Sequence, residues 1–105
     1  PAWQTTAGSL GTFAGGTNGT LVTVSATGDT VVYSESTNVL TNSGQANCTL
    51  NASTGVISST NFGGSATAAT TYSFTLVATD AQNQTSSRNF TISSSYGATG
   101  GGQFN

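Results

Sequence analysis

The chain has 105 residues and only four charged side chains, Asp29, Glu35, Asp80 and Arg88, for a formal net charge of −2. It contains no Lys, His or Met, so the residues that usually run general acid–base and metal-assisted chemistry are nearly absent. One cation cannot neutralise a phosphate backbone, which excludes nucleic acid, and no apolar run approaches the ~20 residues of a membrane helix.

Taken in chain order, Trp3 to Thr6 reads as a first short strand, and Thr20 to Ala26 as a second with Val22, Val24 and Ala26 on one face. Gly28-Asp29 turns the chain into a third strand, Val31 to Glu35. Thr37 to Ala46 is a polar connection whose Val39-Leu40 pair is expected to tuck onto the core. Cys48 to Leu50 and Val56 to Ser59 are short strands separated by the Thr54-Gly55 turn. After Gly63-Gly64, Thr70 to Asp80 shows the longest alternation, with Tyr72, Phe74, Leu76 and Ala78 inward against Ser73, Thr75 and Thr79. The turn Asp80-Ala81-Gln82-Asn83 leads to Arg88 to Ser94, which offers Phe90 and Ile92. Period-2 alternation with regular turn signals, and no apolar residues at helical spacing beyond one turn, predicts an all-β fold. The expected architecture is an Ig-like antiparallel β-sandwich of about seven strands over residues 1–95. Residues 96–105 read as a flexible Gly-rich C-terminal arm.

The ionisable residues offer little chemistry, and no catalytic residue, cofactor site or metal site is expected. Arg88 shares a face with Phe90, so its stem packs while its head reaches the rim, toward Glu35 or a subunit's carboxylate. Cys48 reads as a small buried hydrophobe; with no partner cysteine it forms no internal disulfide. Five Asn-x-Ser/Thr matches, at Asn18, Asn47, Asn51, Asn83 and Asn89, are weak evidence in a chain this rich in Ser and Thr. Trp3 either covers an open end of the core or meets a neighbour. Trp3, Arg88, Tyr96 and Phe104 are the candidate interface residues. The arm is expected to order only in an assembly, inserting Phe104 or Tyr96 into an apolar recess on a neighbouring chain.

Four stretches carry a resemblance: Thr30-Val31-Val32-Tyr33-Ser34, Leu50-Asn51-Ala52-Ser53-Thr54-Gly55-Val56-Ile57-Ser58, Tyr72 to Asp80, and Arg88-Asn89-Phe90-Thr91-Ile92. They resemble the family of cadherin-like Ig sandwiches found in bacterial surface proteins and phage virion proteins. The opening Trp3 to Thr12 is similar to the start of such modules in tailed-phage structural proteins. The chain departs from the family pattern where a Leu-Pro-x-Gly-Leu segment is usual, at Ser59 where Gly is usual, and at Glu35 where an apolar residue is common.

The resemblance implies a non-enzymatic virion structural protein, most simply a capsid decoration protein on the particle exterior. The alternatives it implies are a tail-fibre or neck module, or a module of a bacterial adhesin at the cell surface. Expected partners are copies of itself and other capsid proteins, with a host-surface glycan as a further partner and no nucleic acid or membrane. Cadherin relatives bind Ca²⁺ with end-loop carboxylates, but such a site takes six to eight oxygens, too many for Asp29 and Asp80 alone. Turn stabilisation is the expected role of both.

Overall fold

The computed structural model describes residues 1–99. The strands among them are β1 (Ala2–Trp3), β2 (Gly8–Phe13), β3 (Gly19–Thr23), β4 (Ala26–Thr27), β5 (Val32–Glu35), β6 (Thr49–Leu50), β7 (Val56–Ser59), β8 (Thr70–Thr79) and β9 (Thr85–Ser94). The frame is the β8–β9 hairpin, paired from Thr79↔Thr85 to Thr70↔Ser94. β5 flanks it on one side and β2 on the other, giving the order β2-β9-β8-β5; β3-β7-β6 forms the opposing sheet and β1 pairs with β4.

The alternation read from the sequence is the alternation of burial. Tyr72, Phe74, Leu76 and Ala78 of β8 are buried together with Phe90 and Ile92 of β9, and all six face the other sheet. Phe62, Leu40, Ile57 and Val24 fill the space opposite. Each such side chain stabilises the fold by about 1.5–3 kcal/mol when removed from water. The connection after β5 also behaves as expected, because Leu40 and Ala46 are fully buried and Val39 packs against the core.

The all-β sandwich is thus as predicted, but four details differ. Gly8–Phe13 is a strand that alternation did not announce, and it pairs parallel to β9, Gly8↔Phe90 through Phe13↔Ser94, with a register shift between Ser9 and Thr12. The expected strand from Thr20 to Ala26 is broken into β3 and β4. A register shift between Thr20 and Val22 also leaves Leu21 and Val22 both half-buried instead of alternating. The first strand ends at Trp3, because the chain then crosses to the other sheet, with Gln4 and Thr5 N–H both donating to the Ser25 carbonyl (2.9 and 3.3 Å).

The fourth difference is the start of the arm. Residues 96–99 lie on their own chain: Thr99 N–H donates to the Ala66 carbonyl (3.0 Å) and Thr99 Oγ1 to the Gly64 carbonyl (3.2 Å). Gly97 is buried, and a Cβ there would run into the Thr67–Ala68 backbone, so only glycine allows this approach. The expectation that Tyr96 onward orders only on a neighbour is therefore corrected for these four residues. Its remainder, with Phe104, lies outside the described residues.

The sandwich is a rod of 51 × 21 × 19 Å. Pro1 packs against Gly28 at the end that holds the β8–β9 turn, whereas Ser94 to Thr99 sit at the end where β8 begins.

Candidate functional site

Of the residues nominated from the sequence, Trp3 and Arg88 lie near one another where the N-terminal segment meets β9, Tyr96 lies toward the opposite end, and Phe104 is outside the described residues. Trp3 is 7% exposed; its ring meets Phe90 edge-on (centroids 5.4 Å) and Tyr33 at a tilt (5.8 Å), and its Nε1–H donates to the Ser86 carbonyl (2.9 Å). Of its two expected roles the structure shows the first, covering the end of the core. Its ring is not free to anchor a neighbour. Arg88 is half-buried and its Nη1–H donates to the Thr5 carbonyl (2.8 Å), tying the N-terminal crossover to β9. Arg88 and Glu35 flank Leu76 in one row of the sheet, and each finds its partners elsewhere. Tyr96 is half-buried on its own chain.

The Asp29 and Asp80 loops meet at one end. Asp80 Oδ1 accepts the N–H groups of Gln82 and Gln84 (both 2.9 Å), closing the β8–β9 turn. Ala81 N–H donates to the Asp29 carbonyl (2.9 Å), and Gln82 Nε2–H donates to Asp29 Oδ2 (3.0 Å). The Asp80 carboxylate stabilises its turn through side chain to backbone bonds as expected, whereas the Asp29 carboxylate accepts only from side chains, Gln82 Nε2–H and Thr30 Oγ1–H (3.2 Å), and ties the two loops together. Among the described residues, no three His, Cys, Asp or Glu side chains cluster where they could hold a metal ion.

Glu35 does something the sequence flagged only as a departure from a pattern. Its Oε2 accepts from Thr37 Oγ1 (2.6 Å), Val39 N–H (2.8 Å) and Leu40 N–H (2.9 Å). Its Oε1 accepts from Thr41 N–H (3.0 Å) and Thr41 Oγ1 (2.9 Å). Burial alone pushes this carboxyl up, but the bonds from Thr37, Val39, Leu40 and Thr41 outweigh it and hold the group below its ordinary value of 4.5. One carboxylate thereby folds the whole bend after β5.

Cys48 is buried with its Sγ 3.6 Å from the Ala46 carbonyl oxygen. Burial, and then the negative charge of Glu35, push its thiol up to about 12. A thiol so protonated is a poor nucleophile. Native protein at pH 8 is expected to resist iodoacetamide and to be alkylated at Cys48 only after addition of denaturant. Rapid alkylation of the native chain would show that the bend before Cys48 opens.

A concave feature lies on the outer face of the four-stranded sheet. It is a groove of about 670 Å³, floored by Ser73 and Thr75 of β8 and Asn89 and Thr91 of β9. Its walls are Ala7-Gly8 at the start of β2 and Thr37 of the Glu35-bound bend. Thr37 Oγ1 also accepts the Thr75 N–H (3.1 Å), so Glu35 holds the wall residue against the floor. No lining side chain is charged. The groove was not legible beforehand because outward Ser and Thr are the ordinary content of a solvated sheet face.

No protein-family model matches the chain, and no curated protein matches it. Solved structures match in fold. The extracellular cadherin domains 3–6 of protocadherin gamma B2 align over 90% of this chain at 18% identity, with a TM-score of 0.67. Mouse cadherin-23 EC22–24 aligns over 90% at 17% identity, with a TM-score of 0.57. The chain spans 22% and 32% of those two chains. At such identities the likeness is of the fold alone: a cadherin-like β-sandwich.

Proposed function

We propose that this chain is a non-enzymatic structural protein of a tailed-phage particle, standing on the capsid exterior as a decoration protein. The observation that carries the reading is the use of its reactive groups. Asp29, Asp80, Glu35, Arg88 and Cys48 all bond within the chain's own fold. Among the described residues, Asp29 and Val32 apart, what remains outward is mostly hydroxyl and amide. Such a surface can be repeated many times in a symmetric lattice without accumulating charge repulsion. The phage assignment rests on the resemblance of the strand motifs and of Trp3 to Thr12. In gradient-purified particles, mass spectrometry is expected to find the chain in a copy number set by the capsid symmetry. Particles that lack it would overturn the reading.

A specific observation favours a second reading, a module of a bacterial surface adhesin. The two ends of the described chain lie at opposite ends of a 51 Å rod, the arrangement that serial stacking of domains requires. The solved cadherin chains with this fold are themselves several domains long. An immunoblot of producing cells separates the two: a short polypeptide supports the decoration protein, and a large exported one supports the adhesin.

A further inference from the structure

We infer that the groove on the outer face of the four-stranded sheet binds a neutral oligosaccharide. The inference does not depend on which assembly carries the chain.

β8 is paired to β9 along its whole length, and β9 to β2 from Phe90 onward. On the far side of β8, Thr75 is bonded to Ser36 N–H and Thr37 Oγ1; β5 has ended by Leu76, so Ser73 lies on a free edge of β8. A peptide adding itself as a further strand would pair along that edge, in the plane of the sheet, and would not lie over the groove on its outer face. Recognition has to come from side chains. Those side chains are short, and Thr75 and Thr91 are β-branched and stiff at χ1, so little conformational freedom is lost when they are engaged.

The lining then selects the occupant by its charge and its pattern. With no cation the groove offers nothing to a phosphate, sulfate or carboxylate, and with no carboxylate it offers nothing to an amine or metal ion. Its polar groups are in a fixed arrangement. Ser73 stands directly opposite Thr91, and Thr75 directly opposite Asn89. Neighbouring strands lie about 5 Å apart, and a two-residue step along a strand is about 7 Å, so the four groups mark a patch the size of one sugar ring. Thr75 Oγ1 donates to Asn89 Oδ1 (2.8 Å), and the Asn89 NH₂ donates to none of the described residues, so its two N–H donors are available to a ligand. The Ser73 and Thr91 hydroxyls bond to none of the described residues and remain free to donate and accept. The threonine methyls beside them, and Ala7 at the wall, suit the C–H faces of a pyranose. A ligand that alternates hydroxyls with C–H faces and carries no charge is a neutral oligosaccharide.

Phe74 and Phe90 also border the groove, but their rings are buried in the core and give it no aromatic platform, so the affinity of a single site is expected near the millimolar range. Display in many copies raises the effective affinity by mass action alone.

The test uses the full ¹⁵N-labelled chain, titrated with lactose, cellotriose and N,N′-diacetylchitobiose, with sialyllactose as the charged control. A streptavidin-tetramerised chain on a glycan microarray extends the range of neutral sugars. The expected result is a saturable shift of the amides at 73–75 and 89–91 with at least one neutral sugar. The double variant Ser73→Val, Thr91→Val, which preserves the strand and its shape, is expected to weaken that binding by roughly tenfold or more while its spectrum elsewhere stays that of the folded protein. Saturable binding of the charged sugar alone, shifts unaltered in the variant, or no neutral glycan bound in either format would each overturn the inference.

Discussion

Replacing Gly55 by Ala is expected to lower the midpoint of thermal unfolding by roughly 15 °C, the equivalent of about 3 kcal/mol in a domain of this size. Gly55 sits at φ +76°, where a side chain is strained by about 1–2 kcal/mol. A Cβ there would run into the Val24 carbonyl oxygen and press toward the Tyr33 ring. Neither neighbour can withdraw easily. Val24 N–H donates to the Gly55 carbonyl (2.9 Å), and the Tyr33 hydroxyl accepts the Ala26 N–H (2.9 Å). Relief would have to come from moving the junction between β3 and β4, at about 1–3 kcal/mol for a forced overpacking. Calorimetry on the variant measures the sum; a shift below about 3 °C would mean that the junction gives way freely.

Glu35→Ala is expected to destabilise the chain by about 3 kcal/mol, since it strips acceptors from the half-buried N–H groups of Val39 and Leu40 and from both donors of Thr41. Glu35→Gln is expected to lose roughly half as much. One oxygen survives in it, while the new NH₂ faces donors. The same group makes stability depend on pH with a definite sign. Its native carboxyl is depressed below its unfolded value, so the contribution is fully present above that value, ordinarily 4.5, and is lost as pH falls through the native one. Denaturant midpoints of the parent chain should therefore fall on acidification through this range, and the slope should flatten in Glu35→Gln. Equal slopes would remove Glu35 as the cause.

How much of this could be seen in the residues differs between frame and site. β8, β9 and β7 were legible because one face is buried and the other wet, which writes a period of two into the chain. β2 was not, because Gly8-Ser9-Leu10-Gly11-Thr12-Phe13 carries two glycines and joins an edge by parallel pairing, where no alternation is demanded. The turn at Thr54-Gly55 was visible, but the second reason for its glycine, contact with Val24, is a distant neighbour that local pattern cannot record. Glu35 stood out only by being unusual, since five donors spread over residues 37–41 become a binding ring only once the bend is folded. The groove stayed hidden for a related reason. Ser73, Thr75, Asn89 and Thr91 are unremarkable singly, and become a patch only through the β8–β9 register.

The parallel pairing of β2 with β9 also fixes how the rod bears load. Tension applied through its two ends pulls β2 toward one tip and β9 toward the other, along the strands. The hydrogen bonds between them are then sheared together and cannot be unzipped one at a time. Arg88 on the Thr5 carbonyl and Trp3 against Phe90 sit at the loaded end and must yield in the same event. A module tethered at both tips is thereby made stiff along its length by the one strand that its sequence did not announce.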